Sequence, residues 1–214
     1  MSKTTSTVTK DGRTLSRFHR FLGRLVCRMM GWTVIGGLPE PKRAIFIASP
    51  HTSNWDGFIM LAVSWALGVR LSWMAKHTLL KWPFRGFLMS LGAVPVDRSK
   101  NTDTVGLVAQ QMQASDGMYL AIAPSGSRSK REHWKSGFYH MALAAGVPVI
   151  CGFLDYKRKR GGCGPVIYLT GDRKADMEQI RAFYADIEGK FPEKHTPVML
   201  RDESPVEDEA SRAS

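Results

Sequence analysis

Short apolar runs that suit strands alternate along this chain with longer segments of helical period, and that alternation constrains the fold more than any other feature. Ala44 to Ala48, Leu71 to Ala75, Ala93 to Val96, Met118 to Ala123, Val147 to Leu154 and Val166 to Thr170 read as strands. Between or after them, Gly57 to Leu67, Trp82 to Leu91, Thr102 to Ala114, Gly137 to Ala145 and Asp176 to Ile187 read as helices, with Gly146 placed as a C-cap. Repeated β-then-α units call for an α/β fold, a mainly parallel mixed sheet flanked by helices. The 214 residues suffice for a single such domain and are too few for two.

Ahead of these units, Leu15, Phe18, Phe21, Leu22, Leu25, Val26, Met29 and Met30 recur at helical spacing. Arg13, Arg17, Arg20, Arg24 and Arg28 form a second stripe beside them. Apolar residues flanked by charge of one sign fit an amphipathic helix lying in an anionic membrane interface. A surface helix packed on its own domain fits as well. The organisation expected is a disordered N-terminus over 1–12, a basic amphipathic helix over 13–30, the main domain over 31–190, and an acidic, disordered tail over 191–214.

The formal net charge is +11, which favours an anionic partner. The three cysteines, Cys27, Cys151 and Cys163, have the spacing of neither a disulfide framework nor a metal site, so free thiols in a reducing cytoplasm are expected. The histidines lack ligand spacing, and no metal is expected. The N-terminus has no signal-peptide apolar core, and the longest apolar stretch, Phe58 to Val69, is too short to span a bilayer. A soluble or peripheral protein follows.

The chemistry points to two loops. His51 and Asp56 lie five residues apart after the first strand, in Pro50-His51-Thr52-Ser53-Asn54-Trp55-Asp56. A histidine there can take a proton, and an aspartate at the next helix start can hold its other ring nitrogen. Asp56 is equally explained as a helix cap. Further on, Ser125-Gly126-Ser127-Arg128 offers hydroxyls, a flexible glycine and a guanidinium to a phosphate. Arg98 ends a strand where a βα loop can place it near the same ligand edge. Lys130, Arg131, His133 and Lys135 extend the positive field, and Trp134 packs below it or touches a bound chain.

Four blocks in order make the chain resemble the glycerolipid acyltransferase family, the group of lysophosphatidate acyltransferases. His51 and Asp56 match H-x-x-x-x-D, and Gly92 through Arg98 match the strand ending in arginine. Ala123-Pro124-Ser125-Gly126-Ser127-Arg128-Ser129 stands for F-P-E-G-T-R-S, and Val147-Pro148-Val149-Ile150-Cys151 matches V-P-I-x-P in part. The resemblance implies an acyl thioester donor (acyl-CoA or acyl carrier protein) and a lysophospholipid acceptor. It implies His51 as base, Asp56 as its partner, and Arg98, Gly126 and Arg128 in acceptor phosphate binding, with no cofactor beyond the co-substrate. Ser125 stands where the family has glutamate; it keeps a hydrogen bond and loses the charge. The expected location is the cytoplasmic face of the membrane, peripherally attached.

Two other classes compete. A serine hydrolase would use Ser125 or Ser127, but Ala123 replaces the first glycine of G-x-S-x-G. A binding module would use Lys157-Arg158-Lys159-Arg160, which otherwise reads as a solvated loop continued by Gly161-Gly162. No recognised nucleic-acid motif accompanies that run, and no nucleic-acid partner is expected.

Overall fold

The computed structural model describes residues 14–76, 86, 89, 91–96 and 104–203. Arg98, nearly all of the helix expected over Trp82 to Leu91, and the acidic run after Glu203 fall outside the described residues.

The chain order is α1 (Arg17–Met29), β1 (Thr33–Ile35), β2 (Arg43–Ser49), α2 (Trp55–Leu67), β3 (Leu71–Lys76), β4 (Ala93–Val96), α3 (Thr104–Ala114), β5 (Met118–Ile122), α4 (Gly137–Ala145), β6 (Val149–Asp155), β7 (Arg160–Ile167) and α5 (Arg173–Tyr184), then a 3₁₀ turn at Pro192–Lys194. Among the described residues seven strands form one sheet in the order β1-β7-β6-β2-β5-β3-β4. Five neighbours, β6 through β4, run parallel, and β7 is antiparallel to β6. β1 pairs parallel with β7, so this edge runs against the rest. The expected α/β domain with a mainly parallel mixed sheet is what the chain forms.

Alternation along the central strands assigns the layers. Ile45 and Ile47 of β2 join Leu120, Val149, Met112, Phe138 and Ile180 in a core beneath α3, α4 and α5. Ala44 and Phe46 point the other way, into a core with Tyr119, Ile150, Ile59, Val63 and Cys27 beneath α1 and α2. Strands covered on both faces read as continuous apolar runs, which is why β2 and β6 stand out in sequence.

The two inner crossovers diverge. β2 leads through α2 to β3 on one side, past β5; β5 leads through α4 to β6 on the other, past β2. Neighbouring parallel strands whose connections depart in opposite directions leave a crevice between their carboxyl ends, where α/β sheets bind ligands. His51 follows β2, and the Ser125–Arg128 loop follows β5.

Several bounds shift by two or three residues, the last helix from 176–187 to Arg173–Tyr184 among them, and β1 was not expected; two further differences matter more. β7 was expected from Val166 but begins at Arg160, so Gly161 and Gly162 are buried strand residues and not a solvated loop. A Cβ on Gly162 would lie 1.9 Å from the Ile35 carbonyl oxygen, and one on Gly161 2.8 Å from Leu154. β7 is squeezed between neighbours, and glycine there meets a packing need that hides its strand character. The second correction concerns the expected tail. Up to Glu203 it is packed on the domain, with Thr196, Val198 and Leu200 buried. Met199 accepts a bond from the Trp134 amide at 2.7 Å, and Arg181 grips Glu203 through both carboxylate oxygens at 2.9 and 3.0 Å.

α1 packs on α2 through its smallest residues. A Cβ on Gly23 would lie 2.4 Å from the Ala66 nitrogen and 2.7 Å from the Ala62 oxygen, so the helices touch backbone to backbone. Cys27, one turn on, is buried, whereas Phe18, Phe21, Leu25 and Met29 face outward. Among the described residues no helix is long and apolar enough to cross a membrane.

Candidate active site

β2 delivers the chain into the loop 50–54, and α2 starts at Trp55. Its first turn places Asp56 under that loop. The carboxylate reaches backward: Oδ2 accepts from the Thr52 and Ser53 amides, both at 2.8 Å, and from His51 Nδ1 at 3.1 Å. Asp56 therefore fixes the preceding loop, and it is not an N-cap, which would accept from amides further along the helix. Oδ1 accepts a fourth bond, 2.6 Å long, from the Tyr156 hydroxyl.

The carboxylate is nearly closed to solvent, while His51 keeps about a third of its side-chain surface open (31% against 5%). Burial alone pushes the Asp56 carboxyl up. The bonds from His51, Tyr156, Ser53 and Thr52 outweigh it and hold the group below its ordinary value. An ionised carboxylate only accepts, so the proton of that contact sits on His51 Nδ1, and in the neutral imidazole this leaves the Nε2 lone pair to take a proton. That is the arrangement a general base needs.

His51 lines a cavity of about 810 Å³ bounded by residues of β2, β5, β6 and α2. The size is that of a pocket for a ligand of drug or lipid dimensions. Its depth is apolar, with Phe46, Leu61, Val63, Leu67, Trp73 and Leu154 among the walls. Gly126, Ser127, Arg128 and Arg131 line the same cavity, so the loop after β5 and the histidine after β2 share one space.

That loop is tightly folded. Gly126 has φ 63°, a left-handed conformation that favours glycine, and its amide donates to the Ala123 carbonyl at 3.0 Å. A Cβ there would lie 3.1 Å from Cε of Lys135, whose side chain rides over the turn. The Ser125 hydroxyl donates to the Ser127 carbonyl at 2.9 Å, and Ser127 Oγ accepts from the Ser129 amide at 3.1 Å. Ser125 is buried and is not among the residues that line the cavity; its work is internal to the turn. Of the residues read from sequence, His51, Asp56, Gly126, Ser127 and Arg128 therefore converge, Ser125 shapes the loop from behind, and Arg98 lies outside the described residues. Trp134 is a core residue, 1% exposed, edge-on to Phe138 and Tyr184.

Sequence reading missed two contributors. Tyr156 precedes the basic run, and nothing in its spacing links it to Asp56, 100 positions away. The segment 186–203 was assigned to the tail or passed over. It buttresses both loops: Phe191 N donates to Thr52 Oγ1 at 3.2 Å, and Arg131 N donates to Thr196 Oγ1 at 3.0 Å. A Cβ on Gly189 would meet Thr52 Oγ1 at 2.9 Å. The basic run is partly neutralised, because Lys157 pairs with Glu188 and Arg158 with Asp155.

The model of the Acyltransferase family matches residues 33–152, from β1 to the middle of β6. A 1-acyl-sn-glycerol-3-phosphate acyltransferase of Haemophilus influenzae is 30% identical over 142 residues, 61% of this chain and 57% of the relative. Its Escherichia coli counterpart is 34% identical over 113 residues, 50% of this chain and 44% of the relative. The chain thus spans about half the length of the curated relatives it matches. The crystal structure of the 1-acyl-sn-glycerophosphate (LPA) acyltransferase PlsC of Thermotoga maritima superposes with a TM-score of 0.55 over 76% of this chain and 73% of that one. At 14% identity, that likeness speaks for the fold alone.

Proposed function

Because this chain belongs to the acyltransferase family, we propose that it moves a fatty acyl group from an acyl thioester to the hydroxyl of a lysophospholipid, with lysophosphatidate as the first acceptor to test. The observation that carries the proposal is a single cavity with His51, backed by Asp56, and the Gly126–Arg128 loop both on its walls.

In the proposed reaction the acceptor phosphate sits on the Gly126–Arg128 turn, with Arg98 and Lys135 adding charge, and the apolar depth takes the acyl chain. The acceptor oxygen attacks the thioester carbonyl as its proton passes to His51 Nε2. The tetrahedral intermediate collapses, the C–S bond breaks, and the thiolate leaves with the proton that His51 returns. Asp56 stabilises the imidazolium between those two transfers. The donor, acyl-CoA or acyl carrier protein, is anionic and suits a basic surface. No metal and no acyl-enzyme is needed.

A serine nucleophile has weaker support, since the Ser125 hydroxyl is spent on the Ser127 carbonyl and is closed off from the cavity. The outward apolar residues of α1, beside Arg17, Arg24 and Arg28, support attachment to an anionic membrane surface on its cytoplasmic face.

The test is incubation of purified protein with lysophosphatidate and other lysolipids, with acyl-CoA or acyl carrier protein as donor, read by mass spectrometry. Diacylated product from the wild type, formed at least about a hundredfold more slowly with His51→Ala, is expected. Arg128→Ala should raise the acceptor KM while kcat changes little, because it removes binding and not chemistry. Acyl transfer in His51→Ala within about tenfold of the wild-type rate would overturn the reading.

A further inference from the structure

Resting on that reading, we propose that Tyr156 is a positioning residue for the reaction: its hydroxyl locks the Asp56 carboxylate so that His51 is held in one tautomer facing the cavity.

The Asp56 carboxylate has two oxygens with different work. Oδ2 carries the His51 contact and both loop amides. Those three donors hold one oxygen. The Tyr156 hydroxyl at 2.6 Å adds a second anchor on Oδ1, so any turn of the carboxylate breaks contacts at both oxygens. A bond to an ionised acceptor is among the stronger hydrogen bonds.

Tyr156 is itself fixed for this task. It follows the last residue of β6, the strand beside β2, so its reach to Asp56 is set by the sheet and not by a loose loop. Its amide donates to the Glu188 carbonyl at 2.9 Å. Its ring meets the buried Trp32 edge-on, centroids 5.0 Å apart at 89°, and Lys159 lies over the far ring at 5.9 Å. Burial, with the bond and charge of Asp56, pushes the phenol far above its ordinary pKa, so it stays a donor throughout the working range. Tyr156 does not line the cavity, so it acts through Asp56 and not on substrate.

The fold contains its own control. Tyr139 donates to Asp176 at the same 2.6 Å, and Asp176 stands in the first turn of α5. That carboxylate also accepts from the Thr170 amide and hydroxyl, with no histidine among these partners, and neither residue lines the cavity. It is the same device used for structure only.

The experiment compares full-length wild type, Tyr156→Phe and Tyr139→Phe. Steady-state kinetics use the donor and acceptor pair that wild type accepts, and the His51 ring is observed by NMR in protein carrying ¹⁵N-histidine. Removing the hydroxyl of Tyr156 keeps its ring on Trp32. It should lower kcat about tenfold with both KM values within about twofold. It should also move the His51 ring shifts from the single Nδ1–H pattern toward a mixture of tautomers. Tyr139→Phe should lower Tm while kcat and the His51 spectrum stay as in wild type. Wild-type kcat in Tyr156→Phe would overturn the proposal, as would a loss that follows the melting temperature with the ring spectrum unchanged. If wild type transferred no acyl group to any acceptor, the functional reading would fail by itself; the ring spectrum of Tyr156→Phe would still uphold or refute the positioning role.

Discussion

A carboxylate that accepts four hydrogen bonds is a fixed negative charge, and Asp56 is therefore both a catalytic support and a fold determinant. The sign of its pH effect follows from its depressed pKa. The folded protein holds the proton on Asp56 less tightly than the unfolded chain, so ionised Asp56 contributes stability that is complete above the unfolded value of 3.8 and is lost as pH falls through the lower folded value. Melting curves taken from pH 7 downward should show wild type losing stability as the solution passes below that range. Asp56→Asn should start lower and lose less on acidification, because it cannot titrate; an equal loss in both would place the acid sensitivity elsewhere. In activity, His51→Ala should cost about 10²- to 10⁴-fold in kcat with little change in Tm, as expected for loss of a general base that makes one side-chain contact. The His51–Asp56 pair was legible because its members lie five residues apart, across one short loop and the helix start that follows it. Tyr156 was not, because its contact depends on β6 lying beside β2, and strand order is not written in local spacing.

At the level of elements, the two sides of α1 show what periodicity can and cannot tell. The spacing of apolar residues and arginines announces an amphipathic helix, and α1 is a helix over Arg17–Met29. Which side meets the protein is decided by size and not by hydrophobicity. Gly23 allows the close approach to α2, and Phe18 and Phe21 are left 69% and 63% exposed. A larger residue at position 23 must push the helices apart: Gly23→Leu should lower Tm by several degrees, since overpacking costs about 1–3 kcal/mol. The outward face carries a separate prediction. Phe18→Ser with Phe21→Ser should release the protein from anionic vesicles in a flotation assay by at least about tenfold, while Tm stays near wild type, because each large apolar side chain is worth about 1.5–3 kcal/mol of burial. Unchanged vesicle binding would assign that face to another partner. Elsewhere the helix α4 and its Gly146 cap fall where the spacing put them, whereas the stretch of β7 before Val166 escaped, since strand residues chosen for lack of a side chain carry no apolar alternation.

For the whole molecule, the site is assembled from segments far apart in sequence and closed by the last stretch of the described chain. The loops after β2 and β5 were legible because each follows an apolar strand, and parallel strands bring such loops to one edge. The segment after α5 was not legible: its many charged residues, with Pro192 and Pro197 between them, read as solvated, yet Val198 and Leu200 are buried beside Trp134. Composition averages over a segment, whereas packing depends on single side chains at matched positions. The consequence is a long-range dependence of the active site on the C-terminal strap. Phe191 and Thr196 hold the His51 loop and the Arg131 segment from outside, and the Arg181–Glu203 pair anchors the strap itself. A chain cut before residue 191 loses all of these contacts at once. It should melt well below wild type and lose acyl transfer, although His51, Asp56 and Arg128 are intact. The single change Glu203→Gln, which weakens only the anchor, should produce a smaller fall in Tm and leave the acceptor KM unaltered. Circular dichroism melts and transfer assays on both variants decide the matter: a truncated chain with wild-type Tm and turnover would show that the strap follows the fold and does not support it.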